Sequence, residues 1–432
     1  MRFLVGLFIL TIHLFALNKD FDLYKMDGKE GGNTLLIVGG IHGDEPGGYF
    51  APAILQRYYK IQKGNLWVIP NLNGDSIMAN TRGIYNDMNR KFASIEKNDP
   101  DFFVVKRVKE IILNKDIDLI LNLHDGYGFF REKYENAIFN PNSWGQATII
   151  DQSKVNGSQK FSDLNEIASS VNSKLNGDKL FQNFHSFNVK NTETKFKDEQ
   201  MKLSLTYFAV TNNKPAFAIE TSKNITDLTQ KVVYQLKSIE EFMRIMNIEF
   251  SRDFDLNNEE EVKKRIYDFG NVTINNNILF DLKDIRKTIK YVPLKNSNND
   301  FKFDHPLGRV KYTNNKYELY IGNIQVAEIS AQTFEMANCP TNNLKMEVDG
   351  KVIDVNFAQQ IDVKESFKIL KIAYRVNIIG FSRDNVESED SILIKRSDIS
   401  DNYALDNKGK RHRVEFYKDG KFCGMIVVNF SK

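Results

Sequence analysis

The first residues in this chain whose types and spacing could do chemistry are His42 and Glu45, three apart in Gly39-Gly40-Ile41-His42-Gly43-Asp44-Glu45-Pro46. An apolar run, residues 35–38, precedes them and a helical pattern follows. His42 is therefore expected just past a strand end and Glu45 near a helix start, where imidazole and carboxylate can converge on one cation. A second imidazole, His124, ends the run 118–123. Two histidines and one carboxylate leave the fourth tetrahedral position open for water, which separates a catalytic zinc site from a closed structural one. One Zn2+ per chain is the expected cofactor. Glu220 ends another apolar run, 214–219. It is the expected general base, taking a proton from metal-acidified water and passing it to the leaving amine.

Between the first two ligand segments lies Asn80-Thr81-Arg82-Gly83-Ile84-Tyr85-Asn86-Asp87-Met88-Asn89-Arg90, with two arginines in turn-rich sequence. A guanidinium there can grip a substrate carboxylate through two parallel hydrogen bonds, or stabilise the oxyanion that develops on an attacked carbonyl.

The elements that must position these groups follow from pattern. From residue 34 to about residue 250, short apolar runs alternate with helix-spaced segments, as in an α/β domain with a mostly parallel sheet. Strands are expected at 35–38, 66–69, 119–123 and 216–219, and helices after Glu45, after Asp101 and over 228–248. His42, His124 and Glu220 then all fall at carboxyl ends of strands, the edge where open α/β sheets bind ligands. Beyond Phe250 alternating strands and the pairs Asp349-Gly350 and Asp419-Gly420 predict hairpins in mostly β structure. The stretch 296–300 reads as a loop, and the region of Cys339 and Pro340 as a boundary between two small β domains. Cys339 and Cys423 either pair or stay buried; nothing marks either as catalytic.

The 432 residues exceed one ordinary core, and the composition, 41% hydrophobic and 27% charged, is that of a globular protein. With 59 basic and 56 acidic residues spread along the chain, no basic stripe points to nucleic acid. Residues 1–16 carry one positive charge, an apolar stretch and a small residue at Ala16, the pattern of a signal peptide. That stretch is shorter than the ~20 residues of a membrane span, and no later run approaches it.

In their order, His42-x-x-Glu45, Asn89-Arg90, His124 and Glu220 resemble the zinc carboxypeptidase family over roughly the first 250 residues. The resemblance implies that Arg82 stabilises the oxyanion, that Asn89 and Arg90 bind the substrate's terminal carboxylate, and that a mobile tyrosine, for which Tyr207 is the candidate, approaches the substrate. Tyr207 also reads as a buried aromatic in a strand. Signal peptide, catalytic domain and two trailing β domains together look most like the helical cell-shape DL-carboxypeptidases. That likeness implies a periplasmic enzyme that removes diaminopimelate from peptidoglycan tripeptides to leave dipeptides, with other cell-wall proteins as further partners. In that group the first metal ligand can be glutamine, whereas this chain has His42. The implied organisation is a signal peptide over 1–16, a catalytic domain over 17–250, a β domain over 251–340 and an immunoglobulin-like sandwich over 341–432. Two other readings share these residues: an aspartoacylase-like or succinylglutamate-desuccinylase-like deacylase, and an inactive wall-binding scaffold.

Overall fold

The computed structural model describes residues 21–157, 160–341 and 344–431; the expected signal peptide lies outside them. The first half alternates strands and helices: β1 (Tyr24–Asp27), β2 (Glu30–Val38), α1 (Pro46–Tyr58), β3 (Tyr59–Ile69), α2 (Gly74–Met78), α3 (Phe102–Ile112), β4 (Leu119–Gly126), β5 (Ala147–Ile150), α4 (Leu164–Asn176), β6 (Asn188–Asn191), α5 (Leu205–Thr211), β7 (Ala216–Ser222), α6 (Leu228–Ile245) and β8 (Glu249–Arg252). The sheet runs β1-β3-β2-β4-β7-β5-β6, and β8 pairs with the early part of β3 along the edge that β1 also uses. The centre, β3-β2-β4-β7, is parallel; β1, β8 and β5 join antiparallel, so the sheet is mixed.

The strands expected at 35–38, 66–69, 119–123 and 216–219 each lie inside an observed one, and the reason is burial on both faces. Leu35, Leu36, Ile37 and Val38 of β2, and all eight residues of β4, are buried, the continuous apolar reading of a central parallel strand. Helix α1 starts with Pro46 in its first turn, where the missing N–H costs nothing. It also packs unusually close to the sheet: a Cβ at Gly48 would meet the Leu123 carbonyl oxygen at 2.7 Å. The segment around Tyr207 is a correction. It is helix rather than strand, because Ser204 caps α5 by accepting a hydrogen bond from the Tyr207 N–H at 3.2 Å.

Strand β8 spans the expected boundary at residue 250, and a helix, Glu259–Ile266, acidic in its first turn and basic in its last, precedes the β region. A three-stranded and a four-stranded sheet follow, covering residues 271–333. Their apolar residues, from Val272 to Ile329, belong to the same core cluster as β2, β4 and α6. Two further four-stranded sheets enclose a separate core that includes Met346, Phe367, Val414, Phe416 and Ile426. Both Asp-Gly pairs are two-residue hairpin turns with positive φ at each residue. Cys339 and Cys423 form a disulfide, Cα–Cα 5.4 Å, tying the start of the C-terminal sheets to their last strand. Among the described residues no helix is long and apolar enough to cross a membrane.

Candidate active site

His42, Glu45 and His124 converge where β2 and β4 end side by side. The Nδ1 atoms of the two histidines are 3.2 Å apart, and each faces a different oxygen of Glu45, His42 at 2.9 Å and His124 at 2.8 Å. All three side chains are buried. Metal–ligand bonds of about 2.0 Å imply ligand separations of about 3.3 Å in a tetrahedron, and here one ligand atom from each of the three residues lies within 4.8 Å of the other two. Two imidazole nitrogens aimed at each other around a buried carboxylate fit a cation. Burial alone would lower His42, yet the Glu45 carboxylate and the bond to Asp87 hold it at about 9. Burial would raise Glu45, but the two imidazoles pull it well below the usual carboxylate range.

The far nitrogen of His42, Nε2, bonds Asp87 Oδ1 at 2.8 Å, which fixes the ring with Nδ1 toward the cluster. Asp87 also accepts from Arg82 Nε at 2.9 Å and from the Asn89 N–H at 2.8 Å. Burial would raise Asp87; the bond to His42 and the nearby Arg82 and Arg90 lower it instead. Arg82 reaches Glu45 Oε1 as well, at 3.1 Å. Buried Asn89 accepts from the Leu205 N–H at 2.9 Å through its side-chain oxygen, and Arg90 donates to the Asn89 carbonyl.

Glu220 stands opposite His124 in the β4–β7 ladder. Burial and the nearby Glu45 carboxylate hold its carboxyl well above the ordinary value, so it retains a proton readily. A cavity of about 160 Å³ joins these groups: His42, Glu45, Arg82, Asn89, Arg90, His124 and Glu220 all line it. Asn122, at its floor, has neither side-chain nitrogen nor oxygen bonded within the protein.

Residues 4–266 match the family model of the catalytic domain of carboxypeptidases controlling helical cell shape, and residues 337–431 that of the C-terminal domain of metallo-carboxypeptidases. The chain belongs to this family. No curated protein sequence matches it. Among solved structures it is similar to the cell shape determinant Csd4 from Helicobacter pylori. The apo and tripeptide-bound forms share 33% identity, cover 95% of this chain and all of that one, and superpose with a TM-score of 0.89. The form bound to mDAP, described as a D,L-carboxypeptidase, shares 34% identity over 94% of this chain and all of that one, TM-score 0.89. The chain is thus a metallocarboxypeptidase of the cell-shape family.

In this carboxypeptidase Tyr207 does not line the cavity. It packs half-buried against the core while its neighbour Thr206 faces the site. Tyr127 lines the mouth instead, 71% exposed, with the Lys223 ammonium 4.9 Å from its ring centre. Trp144 forms an apolar wall, and the Lys190 ammonium lies 4.5 Å from its ring centre while donating to the Ser143 carbonyl at 2.9 Å. Sequence reasoning missed Asp87, Tyr127, Trp144, Lys190 and Lys223. Asp87 and Lys223 were within reach, one between the two arginines and one three residues after Glu220. Trp144 and Lys190 carried no spacing signal, because they come from segments that only the sheet brings together.

Proposed function

We propose that this chain is a zinc carboxypeptidase that removes the C-terminal diaminopimelate from peptidoglycan tripeptides, leaving dipeptides. The convergence of two imidazole Nδ1 atoms on one buried carboxylate, beside a carboxyl whose proton affinity burial raises, carries the reading. His42, Glu45 and His124 would hold one zinc ion, which supplies Lewis acidity to the scissile carbonyl and to a water. Glu220 takes the proton of the attacking water and delivers it to the departing amine. Arg82, half exposed at the cavity rim, stabilises the developing oxyanion, and Asn89 and Arg90 bind the terminal carboxylate. The substrate is supported by relatives solved with tripeptide and with mDAP bound. We further assign residues 1–16 to a signal peptide and the enzyme to the periplasm, with the remaining chain divided near residues 250 and 340.

Mass spectrometry of muropeptides with tri-, tetra- and pentapeptide stems tests this, with zinc-loaded and chelated protein in parallel. Loss of diaminopimelate from tripeptides alone, abolished by chelation, is the expected result. Intact muropeptides together with turnover of N-acyl amino acids would replace it with a deacylase. Bound zinc with no turnover of either would indicate a scaffold.

A further inference from the structure

The segment that carries Arg82, Asn89 and Arg90 has little regular structure of its own, one three-residue turn of 3-10 helix at Met88–Arg90. Something outside it must hold it. The chain entering it, β3 to α2, is gripped by the β region that follows the catalytic sheet. Asn71 donates to the Pro306 carbonyl at 2.9 Å and Asn323 to the Asn80 side chain at 3.2 Å. Between these two contacts lies Arg309, in the strand Gly308–Thr313. Its guanidinium lies against the Cα of Gly74, where an added Cβ would overlap it, and it approaches Asp75 Oδ1 at 4.0 Å. With Tyr85, Met88 and Asp101 it encloses a cavity of about 10 Å³ beneath the segment.

From Gly74 the contacts run directly to the site. Ser76 accepts the Ile84 N–H through its hydroxyl at 3.1 Å and the Thr81 N–H through its carbonyl at 3.0 Å. The Thr81 carbonyl in turn accepts the Gly43 N–H at 2.9 Å, beside His42. A shift of α2 therefore moves Arg82 and the far wall of the cavity together.

We propose that Arg309 is a positioning residue for the Arg82–Arg90 segment, so that the β region completes the substrate grip from outside the cavity. It touches no substrate. A planar fork, anchored on a glycine surface and an aspartate, sets the position of α2 more narrowly than a flexible ammonium would. The substrate arm of the test rests on the proposed peptidase reading; a second arm does not.

In the zinc-loaded full chain, Arg309→Ala and Gly74→Ala are each expected to lower kcat/KM for the muramyl tripeptide about tenfold, KM rising as Asn89 and Arg90 shift and kcat falling as Arg82 shifts, with zinc content unchanged. Arg309→Lys should recover only part of the loss. Independently of turnover, amide hydrogen exchange across residues 79–91 should quicken in both alanine variants without substrate. If wild-type protein turns over no tripeptide while exchange still quickens, the substrate reading fails and the positioning role stands. Unchanged exchange and kcat/KM in Arg309→Ala overturn the positioning role. So does loss of zinc. Should Arg309→Ala not fold, Gly74→Ala decides by the same readouts, since it displaces the guanidinium without removing it.

Discussion

Glu45 receives both histidines, Arg82 and, at 3.6 Å, the Lys223 ammonium, so its single negative charge is surrounded by groups that need it. Glu220, on β7, is pushed the other way, well above the ordinary carboxylate range, by burial and by the Glu45 charge. The carboxyl at the start of α1 and the one on β7 thus take opposite protonation preferences from their surroundings, the separation that acid–base chemistry requires. Glu220→Gln should keep stoichiometric metal, measured by atomic absorption, while turnover falls by at least about a hundredfold. Asp87→Asn should do the reverse. It weakens the hold on the His42 ring, so metal affinity drops about 10- to 100-fold while saturating zinc restores turnover. Near wild-type turnover in the first variant, or unchanged affinity in the second, would refute the assigned role. The histidines and both glutamates were legible because each ends a strand or starts a helix. Asp87 stood in view between the two arginines, but its partner was not legible, because a turn folds it back to meet His42 from 45 residues on.

At the scale of elements, the site exists because α1 approaches the sheet closely enough for Glu45 to face His124. Gly48 permits this, resting on the Leu123 carbonyl, and Gly47 is its counterpart against Asp125, which accepts the Gly47 N–H at 3.0 Å. Gly48→Ala should lift α1 away from β4, costing about 1–3 kcal/mol by overpacking. Metal affinity should fall with it. Urea melts of the metal-free protein and a zinc titration check the two effects separately; full stability with normal affinity would mean that the helix has slack. The strand runs and the helices after Glu45 and Asp101 were readable since their residues are buried on both faces or on one stripe. Helix α5 was not: its seven residues offer too little periodicity, and a serine cap decided it.

Across the whole molecule, the catalytic sheet and the following β region share one core, which alternation in sequence could not reveal because it depends on which faces meet. His305 sits in that seam, buried, accepting the Leu307 N–H at 3.1 Å through Nδ1. Burial, and the nearby Arg57 cation, depress its pKa to about 3, so the folded protein refuses a proton that the unfolded chain takes near 6.5. Above pH 6.5 His305 therefore costs nothing. As pH falls from 6.5 toward 3, stability should decline by up to about 1.4 kcal/mol per unit from this residue. His305→Asn, whose Oδ1 can accept the same N–H, should flatten that decline in denaturant melts between pH 7 and 4.5; an equal slope would place the acid sensitivity elsewhere.

The last strand, Lys421–Phe430, sends Phe422, Met425 and Val427 into the large core and Cys423, Ile426 and Val428 into the C-terminal one. A strand with one wet face cannot slide by a residue without drowning its apolar side chains, but this strand has no wet face, so a slip would only exchange two greasy sets. Side-chain polarity therefore cannot set its alignment. The tight turn at Asp419-Gly420 sets it from one end, and the Cys339–Cys423 bond fixes a single residue of the strand to a point outside the hairpin. The disulfide acts here as a registration pin, choosing between two alignments that hydrophobic burial alone would rate as nearly equal.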